Sequence, residues 1–189
     1  MVDRSAAGHP AAGPRVPPAL WLLPGATLLL QLLTYHGYGY FRDELYYLAN
    51  GEHLAFGYVE HPPLIGVLAW LVRATLGDSL FAIRLLPAVA AAATVWMTMG
   101  IARELGGGRF GQILAGLSAM LAPAFFGLFG VFSMNAFDLV FWAALWWIAA
   151  RYLRTSNDRV WLVFGLVAGV GLENKISVLG RIADALVPG

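Results

Sequence analysis

The chain has 189 residues, of which 59% are hydrophobic and only 12% charged, with a mean hydropathy of +0.69 and a formal net charge of +1. That composition excludes an ordinary soluble domain and points to an all-α, polytopic helical membrane protein, because helices satisfy their own backbone hydrogen bonds in lipid. The small net charge leaves no basic field for nucleic acid, and the absence of cysteine excludes disulfides, thiolate metal sites and a cysteine nucleophile.

Residues 1–19 open with MVDRSAAGHPAAGPRVPP, rich in Ala, Gly and Pro, which predicts a disordered tail. The apolar run that follows resembles a signal sequence. It gives way to the bulky TYHGYGYF rather than to small residues, so it reads as an uncleaved anchor. This first span is expected near residues 20–40, ending in the aromatic set Tyr35, Tyr38, Tyr40 and Phe41 that suits a membrane interface. Four more spans are expected near 80–102, 110–129 (bent at Pro123), 136–153 and 160–177. Residues 63–76 are also apolar, but a stretch of about 14 residues is short against the roughly 20 a span needs, which favours an interfacial helix.

Arginines fix the expected count at five. If residues 63–76 do not cross, Arg4 and Arg15, then Arg103 and Arg109, then Arg151, Arg154 and Arg159 all fall on one side. By the positive-inside rule that side is the cytoplasm, which places the N-terminus there, in a bacterial-type plasma membrane. If residues 63–76 crossed, the last two groups would be exported. The loops around residues 104–109 and 155–159 then read as cytoplasmic connectors whose charges set topology.

Residues 41–79 become one extracytoplasmic loop with membrane-surface helices. It contains FRDELYYLANGEHLAFGYVEHPPL, which gathers Asp43, Glu44, Glu52, Glu60, His53 and His61 into one short window. Asp43 and Glu44 should open a helix, where the macrodipole favours carboxylates, and Asn50-Gly51 should end it. Pro62-Pro63 predicts an extended approach to the interfacial helix. Carboxylates this close to the acyl boundary suit a general base or a bound cation, while the plain alternative is a solvated acidic loop. His36 and His53 read as interfacial residues without a special role.

Two further polar residues stand out. Asp138, in SMNAFDLVFWAALWWIAA, lies about one turn into the fourth span, on the same membrane face as Asp43. It is either a helix-start carboxylate beside the caps Ser133 and Asn135 or part of an interfacial cavity. Lys175, in GLENKISVLG, is the one lysine in the chain. It either snorkels to the headgroups, pairs with Glu173, or holds a lipid phosphate. Glu60-His61 has the right atoms for Zn²⁺ or Mg²⁺, although two adjacent residues do not define a site.

In this order the residues resemble the N-terminal part of the GT-C-type membrane glycosyltransferases, the branch with dolichyl-phosphate-mannose protein mannosyltransferases and the lipid A aminoarabinose transferases. Three blocks carry the likeness: RDELYYLANGEHLAFGYVEHPPL; GDSLFAIRLLPAVAAAATVWMTMGIARELGGGRFGQ; and NAFDLVFW with GVGLENKIS. The resemblance spans about residues 38–180. It implies Asp43 and Asp138 as catalytic carboxylates, Glu44, His61 and Lys175 as substrate-binding residues, and Glu60 as a ligand for a divalent cation (Mg²⁺, Mn²⁺ or Zn²⁺). His61 stands where the aminoarabinose transferases carry lysine, which argues against that sugar. The implied donor is a polyprenyl-phosphate sugar, the acceptor a lipid, glycan or protein hydroxyl, and the surroundings membrane lipids. Relatives run on through further spans, so the closing RIADALVPG (181–189) reads as a truncated end. The alternatives are a small transporter or channel subunit using Asp138 and Lys175 as ion ligands, and an inactive membrane fragment.

Overall fold

The computed structural model describes residues 21–176, and within them the chain forms eight helices and no strand. They are α1 (Leu22–Thr34), α2 (Arg42–Glu52), α3 (Leu64–Leu76), α4 (Leu80–Glu104), α5 (Arg109–Leu121), α6 (Pro123–Phe129), α7 (Met134–Thr155) and α8 (Val160–Leu172). The tail 1–19 with Arg4 and Arg15, residue 20 of the first expected span, residue 177 of the fifth, and the 181–189 end lie outside the described residues.

α4 is the axis of the bundle. It packs against α1, α5 and α7 along its length and against α3 and α6 nearer its start. Its alanines at 82, 88, 90 and 91 are buried, and small residues let neighbouring helices approach closely where lipid gives no hydrophobic drive. Gly100 shows how tight this is: a Cβ there would lie 2.8 Å from the Trp147 indole of α7. Trp147 in turn meets Trp96 edge-on at 4.7 Å, and Trp96 stacks on Trp21 at 5.4 Å, a ladder that ties α7, α4 and the start of α1.

The outer faces are apolar and several buried positions are polar, the reverse of a soluble bundle. In α1, Thr27 and Gln31 are buried while Leu22, Leu29, Leu30 and Leu33 point outward. Thr27 Oγ1 donates to the Leu23 carbonyl, and Gln31 Nε2 donates to Phe126 O at 3.3 Å. On α8, Trp161, Leu162, Val163 and Leu166 are exposed. Such surfaces belong in lipid.

Span lengths divide the helices less cleanly than the apolar runs suggested. α4 and α7 are each long and apolar enough to cross a bilayer, and α5 with α6 makes a third crossing if the pair is one span bent by 61° at Pro123. The bend at Pro123 was expected; its extent turns the pair into two helices. α1 and α8 have 13 residues each, as does α3. That is about 20 Å at 1.5 Å per residue, against a hydrocarbon core of about 30 Å. Helix length alone therefore does not separate α3 from the two expected crossings.

Asn50-Gly51 does not end α2, which continues to Glu52. Glycine is needed at 51 for proximity: a Cβ there would lie 2.9 Å from Trp70 N and 3.0 Å from Ala69 Cβ, where α2 lies across α3.

Candidate active site

The end of the bundle carrying α2, the loop to α3 and the start of α4 is built on one buried ion pair. Ser79 caps α4, accepting from Ala82 N at 3.1 Å, and Arg84 follows in the next turn. An arginine so placed among apolar neighbours must find acceptors. Its Nε and Nη2 grip the Glu44 carboxylate at 2.9 and 2.7 Å, as a two-pronged fork. The remaining N–H groups go to the carbonyls of Tyr35, Tyr38 (2.9 Å) and Gly39 (2.7 Å), so all five donors are used.

Glu44 is equally saturated. Its Oε2 also accepts from Phe41 N at 2.8 Å, closing the first turn of α2, and its Oε1 accepts from Phe132 N at 2.8 Å. Glu44 is fully buried. Expected to bind substrate, it is enclosed by protein on every side and joins α2, α4, the α1–α2 connection and the segment before α7.

Asp43, its neighbour, points the other way. Its side chain is 41% exposed and touches the exposed Arg42 at 3.1 Å. One residue of helical rotation separates an inward carboxylate from an outward one, on a helix that the inward one holds in place.

Glu60 is exposed on the loop before α3. It shares the field at Tyr47 with Asp43: the buried Tyr47 phenol is pushed above its ordinary value of 10.0 by desolvation first, then by Asp43, Tyr46 and Glu60. Both carboxylates thus raise the same phenol, Asp43 more than Glu60.

His61 is buried within an aromatic cage of Tyr46, Tyr47 and Tyr58, with ring centroids 5.5, 5.3 and 5.0 Å away. Its Nδ1 lies 2.9 Å from Pro62 O and its Nε2 lies 3.0 Å from Asn50 Nδ2. A carbonyl only accepts, so the proton sits on Nδ1 and Nε2 accepts from the Asn50 amide. Tyr58 locks the loop further, its backbone N–H donating to His61 O at 2.9 Å and its hydroxyl to Asn50 O at 2.7 Å. With both ring nitrogens engaged, His61 does not join Glu60 as a metal ligand in this arrangement. No group of three or more His, Asp or Glu among the described residues could hold a metal ion. A cation at Glu60 would need its other ligands from outside this set.

Residues 132–135, leading into α7, connect this cluster to the end of α8. Phe132 N is held by Glu44, Met134 O accepts from Asn174 Nδ2 at 2.9 Å, and Asn135 Oδ1 accepts from Lys175 Nζ at 2.8 Å. Lys175 is half-buried, and the partner shown for it is Asn135 rather than Glu173. Glu173 contributes its backbone: Leu64 N donates to Glu173 O at 2.9 Å, bringing the start of α3 against the end of α8. Asp138 lies in the second turn of α7, half-buried, at this same end. Ser133 stands at the N-cap of α7 without making a capping bond.

Below this polar end an apolar groove of about 370 Å³ runs between α3, α4, α7 and α8. Leu64, Leu68, Leu86, Phe137, Phe141 and Val170 are among its lining residues. Phe137 adjoins Asp138, and Leu64 makes the contact to Glu173.

Arg84 is the site-forming residue that sequence reasoning passed over. Its signal was present, a single guanidinium one turn inside a long apolar helix, which required a carboxylate partner somewhere in the chain. Glu104 was also read too simply as a loop charge: it is buried, with Arg154 Nε on its Oε2 and Arg103 at 3.5 Å from Oε1, tying the far ends of α4 and α7.

The sequence model of the dolichyl-phosphate-mannose-protein mannosyltransferase family matches residues 60–187, more than half of the chain. No curated protein and no solved structure matches. The chain belongs to this family of glycosyltransferases and is an integral membrane protein. The matched stretch holds Glu60, His61, Arg84, Asp138 and Lys175; Asp43 and Glu44 precede it.

Proposed function

We propose that this member of the mannosyltransferase family moves a sugar from a polyprenyl-phosphate donor to a hydroxyl of a lipid, glycan or protein acceptor, at the extracytoplasmic face of a bacterial-type plasma membrane. The observation that carries this reading is the apolar groove ending under a polar rim. An isoprenoid tail suits the groove between α3, α4, α7 and α8, and its phosphate would then reach the level of Asp138 and Lys175. The arginines at the opposite end of the bundle favour that end as cytoplasmic, with the N-terminus on the same side.

In this reading Asp43 takes the proton of the acceptor hydroxyl while that oxygen attacks the anomeric carbon. The bond from that carbon to the phosphate oxygen breaks, and its electron pair leaves with the polyprenyl phosphate. Lys175, steadied by Asn135, meets the charge gathering on the phosphate. Glu44 and His61 act at one remove, fixing the helix and loop that present Asp43 and Glu60. Asp138, in the second turn of α7 at the same end of the bundle, would stand beside the donor phosphate.

The test is transfer in vesicles, with the protein reconstituted beside a radiolabelled polyprenyl-phosphate sugar and a hydroxyl acceptor. Transfer that disappears in Asp43→Asn and falls in Lys175→Gln supports the assignment. Undiminished turnover in Asp43→Asn removes Asp43 as the base. Transfer from a soluble nucleotide sugar, with none from the lipid-linked one, removes the donor class.

A further inference from the structure

The opposite end of the bundle, where α4 and α7 finish and α5 and α8 begin, carries a second and chemically different pocket. A cavity of about 360 Å³ lies between α7 and α8, lined by Trp147, Ile148, Val160 and Val163 on its apolar side and by Arg151, Thr155, Asn157 and Arg159 on its polar side. A smaller one of about 220 Å³, between α4, α5 and α7, shares Trp147 and Arg151 with it and adds Arg103 and Gln112. The larger falls in the size range of small-molecule sites, about 300–1,000 Å³.

The charges at this end do not cancel. Arg103, Arg109, Arg151, Arg154 and Arg159 face two carboxylates, Glu104 and Asp158. Glu104 is consumed, buried between Arg154 and Arg103. Asp158 is exposed in the loop before α8. Among the described residues, neither the Arg151 nor the Arg159 guanidinium has a hydrogen-bond or ion-pair partner, although both line the larger cavity. Asn157 turns its Oδ1 to Arg159 N at 3.1 Å and keeps its amide N–H groups. Unpartnered guanidinium and amide donors over an apolar floor of Trp147, Ile148, Val160 and Val163 match a molecule with an anionic head and a hydrocarbon tail.

We infer that this pocket binds an anionic phospholipid, with the phosphate between Arg151 and Arg159 and an acyl chain along Trp147, Ile148 and Val163. The inference is independent of the donor site, which lies at the other end of α7.

The experiment titrates the detergent-purified chain with phosphatidylglycerol or with phosphatidylcholine and reads bound lipid by native mass spectrometry. Phosphatidylglycerol should bind preferentially. The variant R151Q/R159Q should weaken that binding by about 30-fold, from the usual contribution of two basic residues beside an anionic headgroup. R151K/R159K should retain most of it, which separates loss of charge from loss of fold. R109Q removes the same kind of charge at the same end but outside both pockets, and should change little. Equal binding of the two lipids, an equal loss in R109Q, or displacement of the lipid by inorganic phosphate at matched concentration would each overturn the assignment.

Discussion

Glu44 and Arg84, 40 residues apart in the chain, meet as a fully buried two-pronged ion pair in which every donor of the arginine is used. Such a pair is costly to break from one side, because the surviving charge stays buried without a counterpart. Removing one partner typically costs about 3–5 kcal/mol. Glu44→Ala and Arg84→Ala should each lower the unfolding free energy in detergent by an amount in that range. The exposed Arg42–Asp43 pair is the contrast, since surface pairs contribute about 0–1 kcal/mol. If Arg42→Ala destabilised as much as Glu44→Ala, the architectural role of the buried pair would be lost.

The two adjacent acids should therefore separate experimentally. Asp43→Asn keeps the fold and should reduce sugar transfer by about 10²–10⁴-fold, the usual contribution of a general base. Glu44→Gln should lose stability and activity together, because Glu44 holds the helix on which Asp43 stands. Measuring unfolding and turnover on the same preparations distinguishes them.

Tyr47 reports whether Asp43 and Glu60 converge. Its phenol holds its proton above the ordinary value, through burial first and the carboxylate charges second. A raised folded-state value stabilises the fold below the unfolded value of about 10, and that contribution fades as pH rises through the folded value. Asp43→Asn removes one of the charges and should bring the tyrosinate transition to lower pH, read as the absorbance difference against Tyr47→Phe. An unchanged transition would place Asp43 too far away to act on this phenol.

Much of the scaffold was legible because apolar runs in a membrane protein are long and uninterrupted. α4, α7 and the break at Pro123 all lie where hydropathy and proline chemistry put them. The partnerships were less legible, since Glu44 finds Arg84 across 40 residues and Glu104 finds Arg154 across 50, and no local period encodes either. The resemblance gave the adjacent acids Asp43 and Glu44 separate roles, but no local signal showed that α2 would bury Glu44 and leave Asp43 exposed. The resemblance implied that His61 binds substrate, and no local signal showed that three tyrosines and Asn50, all earlier in the chain, enclose its ring. Gly51 read as a helix stop, because proximity to another helix leaves the same residue in the sequence as a turn does.

Gly51 provides a packing test. A Cβ there meets the Trp70 backbone nitrogen at 2.9 Å, and a backbone atom in a helix cannot step aside as a side chain can. Gly51→Ala should cost about 1–3 kcal/mol through overpacking between α2 and α3. Gly57, with nothing within 4 Å of its would-be Cβ, should accept alanine without comparable loss. Thermal unfolding of the two variants side by side settles the comparison, and equal behaviour would mean that the α2–α3 contact is looser than the structure shows.

The groove makes a prediction about which kinetic constant moves. Val170 lies on its wall, in the last turn of α8 and five residues before Lys175. Val170→Trp would displace hydrocarbon without touching the rim. Each methylene denied burial is worth about 0.8 kcal/mol, so excluding two of them should raise KM for a long-chain donor by about tenfold. Because the lost contact is the same in the ground state and the transition state, kcat should stay near its original value. A donor shortened to a few isoprene units, which never fills the groove, should show a much smaller rise. If kcat fell while KM held, the groove would belong to the packing of α7 against α8, and the lipid tail would have to lie elsewhere.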